Sequence, residues 1–384
     1  MKSMEEYAKI VFVGAGVLAE RLYAQINNCE QKLVGVVDLY ENNQRTVKMF
    51  KGFKVDSLLL WKEEIEKGDT AVVIAIGCFE LYRIIYDAVK RYPFIEDCLF
   101  VVNPYSSLRF FCVDEELASD ERISFADNRY KKIEKIFVDS MSKKHFELLT
   151  TAKNYENKND TYELVLYKKI KEMFFAKEDY WEQYTFGKNS NNWATVFDCG
   201  AYIGDSVRQI CNNIPQNNII YYAFEPLHEN IEKMMKNDFP MCKEFNVYEC
   251  GVGMCDEVIA FQISDSEKKD GGRFVDKKNQ TNLDCELKIR SLDHMKLDIR
   301  GQLYIKMDIE GSELAALKGA EQTIKNNRPC LAICLYHRKN DLLEIPEYLN
   351  NLLSNYSFYL RGGYHTILCA IPKELENYND TRKE

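Results

Sequence analysis

The stretch Thr195–Ser206, TVFDCGAYIGDS, constrains this chain most. Thr195 to Cys199 reads as a buried strand, since Val196 and Phe197 are strand formers. It runs into a glycine turn and then a helix. Gly200 and Gly204 carry no Cβ, so backbone can come close to something bulky there. The helix that follows aims its free N–H groups back at the loop. Strand, glycine turn and helix in this order make a cradle for a nucleotide-type cofactor. The spacing departs from the dinucleotide fingerprint G-x-G-x-x-G, of which only the first and last glycines survive. The strand ends in Asp198, and an acid at that point suits a cofactor carrying positive charge.

Tyr221–Pro226, YYAFEP, is a second strand, ending in Glu225. An acid ending the second strand of a βαβ unit can take both ribose hydroxyls of a nucleoside. Either acid alone could be a strand-end carboxylate facing water. The two in register favour a nucleoside cofactor.

Four pieces follow one another between about Asn192 and Pro372: DCGAYIGDS, FEP, ECGVG and IKMDIEGSELAALKGAE. In these pieces the chain resembles the FkbM family of S-adenosylmethionine-dependent methyltransferases, KMDIEGSE before a helix being the most specific. The resemblance implies an α/β fold with a seven-stranded class I methyltransferase sheet and S-adenosylmethionine as cofactor. It assigns cofactor binding to Asp198, Gly200, Ala201, Tyr202, Gly204, Asp205, Ser206, Glu225, Gly251 and Asp308. Tyr202 departs from the glycine or small polar residue common in such proteins, which would alter contacts to the methionine end. The acceptor class, a hydroxyl of a sugar or glycan precursor, rests on the same resemblance.

The length of 384 residues predicts two domains, and 46% hydrophobic residues suffice for two cores. A net charge of −9 without a basic run argues against a nucleic-acid partner. Thirteen scattered cysteines form no C-x-x-C pair and no Cys/His cluster at zinc spacing. They predict a reducing cytoplasm and buried apolar thiols. No apolar run approaches the roughly 18 residues of a membrane span. Polar residues lead directly into the first strand, so no signal peptide is expected.

Ahead of the methyltransferase-like half, Lys9–Val13 is a strand followed by GAGVLAERLYAQI. Gly14 and Gly16 sit at its turn, Ala19 takes the third glycine's place, and Asp38 ends the next strand. Further strands over Thr70–Ile76 and Cys98–Val102 complete a Rossmann-like parallel α/β domain over residues 1–110. It resembles, more weakly, the N-terminal domains of bacterial sugar O-acetyltransferases, which hold a nucleotide-sugar. NAD binding, nucleotide-sugar binding and plain docking stay open for it. Residues 111–191 read as a helical connector, with helical spacing over Arg129–Thr151 and Tyr162–Phe175. Tyr180, Trp181, Tyr184 and Phe186 within it could line an acceptor cleft or simply pack. Residues 192–373 form the methyltransferase-like domain, with a helix over Glu313–Asn326 and the polar stretch SEKKDGGRFVDKKNQTN as a lid or surface hairpin. Residues 374–384 read as a tail.

Asp198, Glu225, Gly251, Asp308 and His337 fall at or just past strand ends, so they should gather on one rim. Methyl transfer to oxygen is an in-line displacement, and much of its catalysis is positioning. A sugar hydroxyl needs a general base in hydrogen-bond reach. His337, in LYHRKND, titrates near neutral pH as a base should. Asp308 and Glu310, in MDIEG, could instead act as base, hold acceptor hydroxyls, order the loop, or bind a divalent ion. Lys306 shares Asp308's side of its strand and is expected to order that carboxylate. His365, in the GGYH turn, is a weaker candidate. No dedicated metal ligand is assigned.

The sequence reading is thus a cytoplasmic O-methyltransferase acting on a small sugar or glycan acceptor, compatible with a homo-oligomer. One rival is an NAD(P)-linked oxidoreductase using Gly14, Gly16 and Asp38, which lacks an evident catalytic Tyr-x-x-x-Lys or metal set. The other is a non-catalytic sugar-nucleotide-binding or assembly protein.

Overall fold

Apolar strand sequences with β-branched and aromatic residues, buried on both faces, are what a parallel sheet covered by helices requires. The chain supplies two such sets. The computed structural model describes residues 2–26, 32–39, 49–76, 81–102, 128–153, 164–174, 192–262, 273–274, 285–338, 340–362 and 366–376. The chain divides into two compact units, Met1–Phe110 with Leu148–Ala176, and Phe111–Glu147 with Lys177–Glu384.

The first unit holds a seven-stranded sheet. Its order is Met49–Phe50, Phe53–Ser57, Lys32–Asp38, Lys9–Val13, Thr70–Ile74, Leu99–Val102, Leu164–Leu166. The five inner strands are parallel and the two outermost antiparallel. The edge pair at Met49–Ser57 escaped the sequence reading because FKVDS alternates too weakly to announce a strand. Leu164–Leu166 corrects the connector: where helix was expected, Val165 pairs with Val101 and extends the first sheet. Helix then runs over Tyr167–Phe174. Tyr180, Trp181, Tyr184 and Phe186 lie outside the described residues.

In the second unit we label the sheet strands β1 (Trp193–Cys199), β2 (Asn218–Phe224), β3 (Glu244–Tyr248), β4 (Gln302–Met307), β5 (Cys330–Cys334), β6 (Tyr356–Arg361) and β7 (Ile367–Pro372). Their order is β3-β2-β1-β4-β5-β7-β6, with β7 antiparallel to both neighbours. The order reverses at β1, so the crevice beyond its carboxyl end is where such sheets bind ligands. The expected α/β class and seven-stranded sheet are therefore present. A four-stranded sheet, in the order Gly251–Val252, Cys285–Arg290, Glu257–Gln262, Arg273–Phe274, stands in addition to it. Arg273–Phe274 falls within the polar stretch read as a lid or surface hairpin, and its flanks lie outside the described residues.

Edge strand β6 is covered by the helical segment 128–147. Val138 N–H donates to Phe358 O, and Leu360 N–H donates to the Ser142 hydroxyl. Arg361 pairs with Asp139. A covered edge cannot template pairing with another chain. The helix expected over Glu313–Asn326 breaks into Glu313–Lys318 and Glu321–Asn327. Ser291 Oγ and Asp293 N–H both donate to Gly319 O, which takes that carbonyl out of the helix ladder. Asp293 then accepts from Gln322 and Thr323 N–H and caps the second piece. Order also continues past residue 373. Lys373–Leu375 is a 3-10 turn, Leu375 is buried, and Glu374 pairs with Arg328.

Candidate active site

The carboxyl ends of β1, β2 and β4 are tied together by backbone. Gly200 and Ala201 N–H both donate to Phe224 O, Glu225 N–H donates to Tyr248 O, and Asp308 N–H to Cys199 O. Gly200 has φ +79°, and a Cβ there would lie 1.9 Å from Asp308 O. At Gly204, φ +80°, a Cβ would lie 2.7 Å from Phe239 Cζ. The close approach expected of these glycines is thus made by the protein's own loops. Tyr202 takes the left-handed conformation, φ +47°, between them. Gly251 is buried, and a Cβ there would meet Ile289 Cδ1 at 2.7 Å.

Asp198 is fully buried, with internal partners on its carboxylate. Lys306 Nζ lies 2.8 Å from Oδ1, and Ser206 Oγ and Tyr221 OH donate to Oδ2 at 3.0 and 2.7 Å. Lys306 faces Asp198 across the β1–β4 register and also donates to Gly200 O. This changes the expected role of Lys306, which holds the end of β1 as well as acting on Asp308. Burial opposes its charge, but Asp198 and Asp308 outweigh that and raise the Lys306 pKa.

Glu225 is buried at the end of β2 and accepts from Tyr202 N–H, Leu227 N–H and Asn230 Nδ2, at 3.0, 3.0 and 3.1 Å. Burial raises its pKa, and the donors only partly offset it. A carboxylate has about four acceptor positions. Three are taken here, so room remains for a hydroxyl donor. Ser206 is buried, whereas Asp205 is exposed at the turn.

The third group lies beyond β4 and β5. His337, 6% exposed, stands between carboxylates. Its Nδ1 is 2.8 Å from Glu313 Oε1, and its Nε2 is 3.3 Å from Asp308 Oδ1 and 3.7 Å from Glu310 Oε2. Glu313 is wholly buried and also accepts from Ile309 N–H. Asp308 accepts from Tyr336 OH at 2.9 Å. Burial disfavours the imidazolium, yet Glu313 and Asp308 outweigh it and hold the His337 pKa well above its ordinary value. Burial likewise disfavours the Asp308 carboxylate, but His337, Lys306 and Tyr336 lower its pKa. Burial beside Glu313 pushes Asp341 up to about 7. The near-neutral titration expected of His337 therefore moves upward.

The sequence reading missed Glu313, which looked like an ordinary acid in a helix's first turn. It also missed Tyr336 and Tyr221, which looked like strand packing. The spacing EGSE carried a signal, since a glutamate just after a turn can reach back to loop N–H groups. Asp308, Glu313 and His337 bring one possible metal-ligand atom each within 4.8 Å of one another. Asp308 therefore has Glu313 beside it as well as Glu310, the second carboxylate of the MDIEG pair, whose Oε2 lies 3.7 Å from His337 Nε2. A cation would enter only by displacing the imidazole's proton. His365 lies outside the described residues. Among those described, no helix is long and apolar enough to cross a membrane.

A family model, the methyltransferase FkbM domain, matches residues 198–358. No curated protein matches the chain significantly. Among solved structures, a methyltransferase FkbM from Methylobacillus flagellatus KT aligns over 95% of this chain and 90% of that one, with 18% identity and a TM-score of 0.48. Residues 198–358, which run from the carboxyl end of β1 past β5 and include the joined ends of β1, β2 and β4, are thus the part of the chain that matches the methyltransferase FkbM domain model.

Proposed function

We propose that the second unit is an S-adenosylmethionine-dependent O-methyltransferase whose acceptor is a hydroxyl on a sugar or glycan precursor. When bound, the cofactor supplies an electrophilic methyl group on a positively charged sulfur. The observation that carries the reading is the set of buried charges at the ends of β1, β2, β4 and β5, beyond the point where the strand order reverses. Glu225 accepts a ribose hydroxyl with its remaining acceptor capacity. Lys306, Ser206 and Tyr221 keep Asp198 fixed, so the turn from Gly200 to Ser206 keeps its shape. Asp198 thus acts by positioning the turn.

Glu313, wholly buried, holds His337 at Nδ1. The opposite ring nitrogen, Nε2, faces Asp308 and Glu310, whose side chains are 28% and 41% exposed. Nε2 is therefore the atom that takes the acceptor's proton as the oxygen attacks, in the manner of a base oriented by a buried acid. Asp308 and Glu310 orient the acceptor hydroxyls. No metal is needed for this proton path.

A screen of sugar and nucleotide-sugar acceptors with labelled S-adenosylmethionine comes first. On the acceptor found, His337→Ala should lower turnover about 10²–10⁴-fold, with cofactor affinity unchanged. Glu313→Gln should lower turnover and move the alkaline rise of the pH profile downward, because it removes the charge that raises His337. Chelator should leave turnover intact. Wild-type turnover in His337→Ala, or turnover abolished by chelator, would reject this proton path.

A further inference from the structure

We propose that Cys211 and Cys242 form an oxidisable thiol pair, a reversible disulfide site beside the cofactor turn. Their sulfurs lie 3.7 Å apart, on elements far separated in sequence. Cys211 is on helix Val207–Asn213, directly after the turn, and is buried. Cys242 follows the helix His228–Met234 and is partly exposed. One thiol can therefore meet a small oxidant while the other waits behind it. Bond formation brings the sulfurs to about 2.05 Å, a closure within reach of side-chain rotation and a small loop shift.

The chemistry balances with hydrogen peroxide as oxidant. The Cys242 thiolate attacks one peroxide oxygen, the O–O bond breaks, and hydroxide leaves, giving a sulfenic acid on Cys242. The Cys211 sulfur then attacks Cys242 Sγ. The S–O bond breaks, the S–S bond forms, and water departs with the Cys211 proton. The two sulfurs together lose two electrons, and the peroxide is reduced to water. Cys242 is the more accessible of the two, so it reacts first and the buried Cys211 resolves.

The pair is joined to the cofactor turn by contiguous packing. Cys242 N–H donates to Phe239 O. The Phe239 ring is the group a Cβ at Gly204 would strike. Phe239 stacks on Phe245 at 4.5 Å between centroids, and Phe245 stacks on Tyr221 at 5.4 Å. Tyr221 OH donates to Asp198. A disulfide therefore clamps the Phe239–Cys242 loop to the helix that leaves the turn, and restrains the backbone of residues 200–206. Cys255 is exposed, so it serves as an internal control.

The test treats the full chain with low peroxide, blocks remaining thiols, and maps peptides by mass spectrometry before and after dithiothreitol. The expected result is a Cys211–Cys242 linked peptide, two of thirteen thiols lost, and full recovery on reduction. Amide exchange of residues 200–206 should slow in the oxidised form. Cys242→Ser, at the more accessible site, should abolish the linked peptide, and Cys211→Ala should trap sulfenic acid on Cys242. None of these readouts involves S-adenosylmethionine, so they stand or fall apart from the proposed activity. Overoxidised Cys242 with no linked peptide in the wild-type chain would overturn the proposal, as would faster crosslinking through Cys255 than through this pair.

Discussion

The two units build the same turn twice, and their strand ends can be compared position by position. In the first, Gly14 N–H donates to Val37 O, and Asp38 follows. In the second, Gly200 N–H donates to Phe224 O, and Glu225 follows. Both leading glycines have positive φ, +101° and +79°. Two residues before each glycine the likeness ends. The first unit has Phe12, in register with Val73 on the neighbouring strand, both fully buried. The second has Asp198, in register with Lys306. Among the described residues, Thr70 is the buried polar side chain of the first unit, whereas Asp198, Glu225, Lys306, Glu313 and His337 are all buried in the second. One backbone plan thus serves as an apolar core in one unit and as a charged rim in the other. The difference teaches that function lies in the groups grafted onto a turn, not in the turn.

The largest break in the comparison should come from Lys306→Met, which makes the second unit's strand end resemble Phe12–Val73 on one side only. It leaves Asp198 buried without its cation, at a cost of about 3–5 kcal/mol. Denaturant unfolding should show that loss in the second unit's transition. Asp198→Asn combined with Lys306→Met should recover much of it. Equal stability of Lys306→Met and wild type would mean that the pair does not hold the rim.

Glycine replacement sharpens the contrast next. Gly200→Ala puts a side chain against Asp308 O at a positive φ. The backbone strain alone costs about 1–3 kcal/mol, and the overlap adds to it. Gly16→Ala meets no atom within 4 Å and sits at no positive φ. It should be neutral or stabilising by about 0.4–1 kcal/mol. Thermal melting of the two variants would check the pair.

The pH dependence follows from His337. Its folded pKa is raised, so its contribution to stability is full below an unfolded value of about 6.5 and is lost as pH rises through the folded value. Melting of wild type should fall across that alkaline window, and His337→Gln should flatten the fall. The same window should see turnover rise, because the base must lose its proton. At the small end, Asp38→Asn should change stability far less than Lys306→Met, because Asp38 is only half-buried and the substitution keeps its size.

Three strand ends were legible because KMDIEGSE, FEP and DCGAYIGDS each mark one. Asp198, Glu225 and Asp308 could be placed on one rim from topology alone. Their partners could not. Lys306 reaches Asp198 across a parallel register, and Tyr221 reaches it from a strand away, and such pairings are set by tertiary packing. Glu313 was hidden for a related reason. Helix propensity explains its presence at a helix start, and only the fold brings it against His337. The edge strands of the first unit were lost because short, weakly alternating segments are strands by virtue of their neighbours.

The central claim is that the charged rim of the second unit is the cofactor site. Calorimetric titration of the full chain with S-adenosylhomocysteine tests it most directly, using wild type, Glu225→Ala and Asp38→Asn. One site per chain is predicted, weakened by about 1.5–3 kcal/mol in Glu225→Ala and unchanged in Asp38→Asn. Absence of binding to the folded wild type, or binding that survives Glu225→Ala but is lost in Asp38→Asn, would contradict the account.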